Sequence, residues 1–201
     1  KAGLNPHENN KVNQARGLLG LAQSNGPNFA VYDLNQDCAH PKLASTFDVP
    51  NSRGHMGGWA EDGKTYYIGQ QFRGVGGIVP VIDVANLYNA KLYTTLTFFG
   101  DGRPHDLSTN ADGTRFYAGQ PGNFGAPLTD SSFGPDGLVI LDTSEIQSRL
   151  PNPQVRIISR LFWNDQGQAE QMLPFFSNGR SYLISTDESG GQAGVGGLPA
   201  A

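Results

Sequence analysis

The chain has 201 residues, which is enough for one domain with a buried core. Its net charge is -4, only 16% of its residues are charged and no cluster of lysine and arginine occurs, which argues against a nucleic-acid partner. No apolar run approaches the ~18 residues of a membrane span, and the single cysteine, Cys38, excludes an internal disulfide framework and a cysteine-based zinc site.

Predicted strands recur along the chain with a period of about 50 residues. The first strand of each copy is a short, β-branched apolar run that ends in an aspartate: Asp33, Asp83 or Asp142. Such runs are typical of buried strands, and the aspartate favours a turn because its carboxylate bonds nearby backbone N–H groups. The runs are NFAVYDL at 28–34, GIVPVIDV at 77–84 and GLVILDT at 137–143.

Each run is followed by a loop and two further predicted strands. The last of these begins directly after a turn dipeptide whose residues tolerate positive φ. The intermediate strands start at His40, Asn89 and Asn152. The dipeptides are Asp62-Gly63, Asp112-Gly113 and Asn178-Gly179, and the strands after them start at Lys64, Thr114 and Arg180. One or two helical turns are predicted over 144–150, and a surface loop over 120–135.

This order of elements predicts an all-β fold, a β-propeller with about three to four blades of four short antiparallel strands. Since propellers close with about four to eight blades, residues 1–189 are expected to form an incomplete propeller. The glycine-rich residues 190–201 are predicted to be a flexible tail or a linker to missing blades. The expected partners are the remaining blades of a parent propeller or a second fragment. A self-contained domain of short strands is the alternative.

The repeated strands resemble a known family. IVPVIDV and GLVILDT, each followed by a loop and by NAKL or NPQV, are similar to the LVIVD-repeat propellers of bacterial and archaeal surfaces. HDLSTNADGTRFY resembles the inner strand of related propeller repeats. The resemblance implies an extracellular, periplasmic or cell-surface protein and no particular reaction. Pro80 departs from the pattern, so its strand is expected at an edge or at a bulge.

Two histidines share one position in the repeat. His55 and His105 each precede an Asp-Gly turn by seven residues. In a propeller the inner strand of every blade runs along the central channel, so equivalent residues are expected to form a ring round its axis. In the last copy the same offset falls at Gln171. The candidate channel residues are His7, His55, His105, Asp106, Glu170 and Gln171.

Two functions follow from this ring. Imidazoles and a carboxylate suit iron, copper or zinc, which makes His7, His55 and His105 candidate ligands in a metal-dependent oxidoreductase or hydrolase. The alternative, which the sequence favours, is that the histidines only anchor strands in a binding scaffold for a small molecule or a surface ligand. The stretch DLNQD at 33–37 offers oxygen ligands for calcium, although turn capping accounts for its aspartates more simply.

Overall fold

The computed structural model describes residues 5–25, 27–49, 53–70, 77–97, 104–120, 136–163 and 169–187. This part of the chain is almost entirely β-structure with one short helix. In chain order the elements are β1 (Asn5–Asn13), β2 (Leu18–Asn25), β3 (Phe29–Asp33), β4 (Lys42–Phe47), β5 (Gly54–Trp59), β6 (Thr65–Gln70), β7 (Val79–Asp83), β8 (Lys91–Leu96), β9 (Leu107–Thr109), β10 (Arg115–Gln120), β11 (Asp136–Asp142), α1 (Ser144–Gln147), β12 (Arg156–Trp163), β13 (Ala169–Ser177) and β14 (Arg180–Asp187). No helix in these ranges is long enough to cross a membrane.

The strands form four antiparallel sheets in which neighbours in sequence are neighbours in space. We name them blade 1 (β1 to β4), blade 2 (β5 to β8), blade 3 (β9 to β12) and blade 4 (β13 and β14). Blades 1 to 3 are four-stranded meanders, and blade 4 contributes two strands within the described residues. The predicted period therefore corresponds to one blade.

The aspartates at the ends of the predicted runs cap turns as expected. The Oδ1 of Asp33 accepts a hydrogen bond from the backbone N–H of Asn35 at 2.9 Å. Asp83 and Asp142 bond the N–H two residues further along in the same way, at 2.9 and 3.0 Å. Because the carboxylate supplies an acceptor to a turn N–H, it fixes the exit of the third strand in each complete blade.

The turn dipeptides also stand where they are predicted, but they build two kinds of turn. Asn110 and Arg115 flank the Asp112-Gly113 turn, whose glycine has φ of +72°. In blade 4, Ser177 pairs directly with Arg180, so Asn178-Gly179 forms a tighter hairpin. The shorter turn shifts the register of β13 relative to the other inner strands.

Successive blades pack face to face through apolar clusters. Phe29 of blade 1 meets Tyr66 of blade 2 with ring centroids 4.9 Å apart. The next residue, Tyr67, points to the opposite face and meets Phe116 of blade 3 at 4.7 Å. This alternation follows from the two-residue period of a strand, and it buries both faces of blade 2.

Three local predictions concern single elements of the fold. Pro80 lies on β7, the third strand of blade 2 and not an edge, and the ladder irregularity follows it between Val81 and Ile82. The predicted helical turn over 144–150 is confirmed as α1. The tail at 190–201 and residues 121–135 of the predicted loop lie outside the described residues.

The capping aspartates predict how stability depends on pH. Hydrogen bonds from Thr114 and Ser144 hold the pKa values of Asp112 and Asp142 below the ordinary 3.8. A depressed folded-state pKa contributes stability that is complete above the unfolded pKa and is lost as the pH falls through the folded one. The free energy of unfolding is therefore expected to be level above about pH 5 and to fall below about pH 4. Urea titrations across that range test this, and the Asp142→Asn variant should lose less stability on acidification than the parent chain.

Candidate axial site

The two histidines that share a register meet between blades 2 and 3. His55 lies on β5, and His105 immediately precedes Asp106 at the entry to β9. Their Nε2 atoms are 2.8 Å apart, and both side chains are buried, with 0% and 2% of their surface exposed. At this distance one ring donates an N–H and the other accepts it, so the pair carries a single proton between the two nitrogens. The predicted convergence of these positions is thus observed.

Asp106 is the centre of a second group of contacts. It is 1% exposed, and its Oδ2 accepts hydrogen bonds from Lys11 Nζ at 3.0 Å and from Gln171 Nε2 at 2.5 Å. Its Oδ1 accepts the backbone N–H of Leu107 at 2.7 Å. Lys11 lies on β1 and Gln171 on β13, so one buried carboxylate connects blades 1, 3 and 4. We call His55, His105, Asp106, Lys11 and Gln171 the axial cluster.

Lys11 is the member of the axial cluster that the sequence did not reveal. Its strand reads NPHENNKVN, which has no alternation of apolar residues and therefore no strand signal. The structure makes it the inner strand of blade 1, where Lys11 pairs with Gly20 and its carbonyl accepts the Trp59 indole N–H at 2.8 Å. The repeat period is the signal that could have located this strand, because β1 lies about one repeat, or about 50 residues, before β5.

His7 lies on β1 at a backbone position that matches His55. Pro6 pairs with Gln23, as Gly54 pairs with Gln70, and each histidine follows directly. The structure describes the backbone of His7 but not its side chain, so its role as a ligand stays a prediction.

The metal hypothesis has a geometric test in the observed pair. Two imidazoles on one tetrahedral zinc, each about 2.1 Å from the metal, hold their nitrogens about 3.4 Å apart. The His55 and His105 nitrogens are closer than this and share a hydrogen bond. Among the side chains that the structure describes, no three of His, Cys, Asp or Glu come together to hold a metal.

Glu170 and Gln171 enter the site in different ways. The Glu170 backbone carbonyl accepts the N–H of Asp106 at 3.2 Å, while its half-exposed side chain accepts from Thr186 Oγ1 at 3.3 Å. Because the blade 4 hairpin is tight, Ser177 occupies the position before the turn that Asn110 occupies in blade 3. His105 stands five residues before Asn110, so the equivalent residue of blade 4 is Met172 and not Gln171. Gln171 nevertheless reaches Asp106 from the neighbouring position.

The aspartates of the calcium candidate act as turn caps. Asp33 accepts from Asn35, and Asp37 accepts the N–H of Ala39 at 2.9 Å and contacts His40 Nδ1 at 2.8 Å. These contacts belong to an exposed loop between β3 and β4, and the strand predicted to start at His40 begins at Lys42. Calcium binding there stays a prediction.

Comparison with known proteins decides the fold. No protein-family model matches the chain, and no curated protein matches its sequence. Solved structures do match, among them the β-propeller domain of Cps50 (Swd1) from Myceliophteria thermophila, at 14% identity, a TM-score of 0.54 and coverage of 94% of this chain and 50% of that one. The chain has a β-propeller fold. Its four stacked blades are the part of the propeller that the described residues build.

Two enzymes are among the similar structures. The periplasmic gluconolactonase PpgL of Pseudomonas aeruginosa matches with a TM-score of 0.63 and 12% identity, over 87% of this chain and 49% of that one. A putative 6-phosphogluconolactonase from Bacteroides uniformis matches with a TM-score of 0.57 and 12% identity, over 88% and 52%. At such identities the similarity shows the fold alone. The chain spans about half the length of these structures.

The axial cluster has a buried part and a more accessible part, which we call the rim. His55, His105 and Asp106 are buried and hydrogen-bonded to other members of the cluster. The side chain of Lys11 is 25% exposed, and Gln171 and Glu170 are half-buried. The buried residues therefore join blades, whereas the rim, formed by Lys11, Gln171 and Glu170, carries an ammonium, an amide and a carboxylate that are partly accessible.

Proposed function

We propose that the chain is part of an extracellular, periplasmic or cell-surface β-propeller that acts as a binding scaffold, and that it holds a small polar ligand at the rim of the axial cluster. The observation that carries this proposal is the division of the site: its strongest acid–base groups are buried against one another, while Lys11, Glu170 and Gln171 retain access. The family resemblance of the repeats supports the same location and implies no particular reaction.

The rim favours a hydroxylated organic acid as the ligand class. The ammonium of Lys11 has three N–H groups, of which Asp106 takes one, so it can also donate to a ligand carboxylate. The Glu170 carboxylate can accept from ligand hydroxyls, and an amide such as Gln171 can donate or accept. An ammonium, a carboxylate and an amide suit a ligand that carries both a carboxylate and hydroxyls.

Lys11→Met is expected to weaken binding of such a ligand about tenfold, because a hydrogen bond to a charged group is worth about 1.5–3 kcal/mol. The probe is gluconate, measured by isothermal titration calorimetry. Lys91→Met is the matched control, since the Lys91 side chain is 66% exposed and its ion pair with Asp83 is long, at 3.9 Å. Equal weakening by both substitutions, or no gluconate binding by the parent chain, contradicts a ligand at this rim.

The second candidate is an enzyme, either a lactone hydrolase or the metal-dependent enzyme that the histidines predict. The names of two similar structures favour the first form, and the His55–His105 pair offers a base for either. Metal analysis of the purified protein and a gluconolactone hydrolysis assay test it, each repeated with His105→Ala. Stoichiometric iron, copper or zinc, or hydrolysis above the spontaneous rate, lost in that variant, would support the enzyme over the scaffold.

A further inference from the structure

Blades 3 and 4 separate towards the hairpin of blade 4. Met172 and Phe176 lie on the same face of β13, because they are four residues apart on one strand. Met172 packs with Leu138 of blade 3 and is 1% exposed. Phe176 is 72% exposed, which is the largest exposed fraction among the large apolar side chains of the described residues. The contact between the two blades is therefore lost along β13, and a cleft of about 730 Å³ lies there.

The walls of this cleft are apolar. Tyr117 and Ile140 are a cross-strand pair of blade 3, and Pro174 and Leu183 are a cross-strand pair of blade 4. These four residues line the cleft together with Phe176, and we call the five of them the apolar walls. The volume falls within the range of about 300–1,000 Å³ that is typical of small-molecule sites. The cleft is thus large enough for an organic ligand with an apolar group.

Two inner turns bring carboxylates to the cleft. Glu61 follows β5 and Asp112 follows β9, and both residues are exposed and line the cleft. No lysine, arginine or histidine is among the described residues that line it. The excess of negative charge is complementary to a cation and opposes an anion. Aromatic rings also attract cations, because the face of each ring carries negative potential.

We propose that this cleft binds an organic ammonium ion that carries an apolar group. Glu61 and Asp112 attract its charge, as do the rings of Tyr117 and Phe176, and the apolar walls cover the rest of the ligand. A cation uses both features of the cleft, whereas a neutral ligand gains nothing from the two carboxylates. The charge on the lining therefore selects the ammonium ion over a neutral compound of the same shape.

The cleft is separate from the axial cluster. His55 stands at the start of β5 and His105 just before β9, whereas Glu61 and Asp112 follow the ends of the same two strands. None of the described lining residues belongs to the axial cluster. The proposal is therefore independent of the ligand proposed for the rim, and Lys11→Met is expected to leave binding in the cleft unchanged.

The test uses benzyltrimethylammonium as the probe, measured by isothermal titration calorimetry, with neutral benzyl alcohol as the comparison ligand. Glu61→Gln combined with Asp112→Asn is expected to weaken binding of the cation about tenfold, because both carboxylates lose their charge while an amide at 112 can still cap the turn. The matched control is Asp33→Asn combined with Asp37→Asn, which neutralises two turn-capping aspartates at the β3–β4 loop and should leave binding unchanged.

Phe176→Leu gives a second measurement at an exposed position, where the substitution does not disturb a packed interior. It removes the ring but keeps an apolar side chain, so binding of the cation is expected to weaken about threefold. Three results overturn the proposal: no binding of benzyltrimethylammonium by the parent chain, binding of benzyl alcohol as tight as that of the cation, or equal weakening by the two double substitutions.

Discussion

Replacing Gly58 by alanine is expected to destabilise the protein by about 3 kcal/mol, at the upper end of what a misplaced methyl group costs in a packed interior. A Cβ at Gly58 would lie 2.1 Å from the carbonyl oxygen of Leu107. The obstacle is backbone, which cannot rotate away as the end of a side chain can. The inner strands of blades 2 and 3 would have to separate, and the His55–His105 contact would be strained with them.

Gly179→Ala is the control for this substitution. No atom of the described residues lies within 4 Å of a Cβ at Gly179, so its φ of +75° is what opposes alanine, at a cost of about 1 kcal/mol. Urea denaturation of both variants measures the difference. The account of blade contact is wrong if Gly58→Ala loses no more stability than Gly179→Ala.

Asp106→Ala is expected to have an effect of similar size, about 3 kcal/mol of unfolding free energy. The substitution removes the acceptor of Lys11, Gln171 and the Leu107 N–H at one buried point. It also leaves the ammonium of Lys11, whose side chain is only 25% exposed, without the Asp106 carboxylate as counter-ion. Because Asp106 connects three blades, the loss should reduce the cooperativity of unfolding as well as the midpoint.

Two variants separate the axial role of Asp106 from the general cost of losing an aspartate. Asp37→Ala removes an exposed carboxylate that contacts His40, and it should change stability only slightly. Lys11→Met combined with Asp106→Ala should cost less than the sum of the two single changes, because the pair is already broken in either one. Strict additivity in this cycle would contradict direct coupling between Lys11 and Asp106.

The sequence predicted the blades because each carries strong local signals. Runs such as GLVILDT combine β-branched residues with a capping aspartate, and Asp112-Gly113 marks a turn whose glycine takes positive φ. Both signals act over a few residues, so they survive in a single sequence. The meeting of His55 and His105 followed from the period of the repeat together with the assumption that blades surround an axis.

What the sequence did not show depends on contacts between distant residues. Lys11 lies in a polar strand that becomes an inner strand only because β2 and β5 pack beside it. The one-residue shift at Gln171 arises because the turn of blade 4 has two residues where that of blade 3 has four. The dipeptides Asn178-Gly179 and Asp112-Gly113 are too similar in composition to predict this difference in turn length. The choice of Lys11 and Gln171 as partners for Asp106 is likewise a product of the stacked blades.

The contact between the rings of His55 and His105 is the most direct test of an axis shared by the blades. Proton NMR of the histidine ring hydrogens, assigned with His7→Gln, His40→Gln and His105→Gln variants, measures it. The structure predicts a nuclear Overhauser cross-peak between the two rings, since their Nε2 atoms are 2.8 Å apart. Assigned rings of His55 and His105 with no cross-peak between them in the folded protein would contradict the axial arrangement.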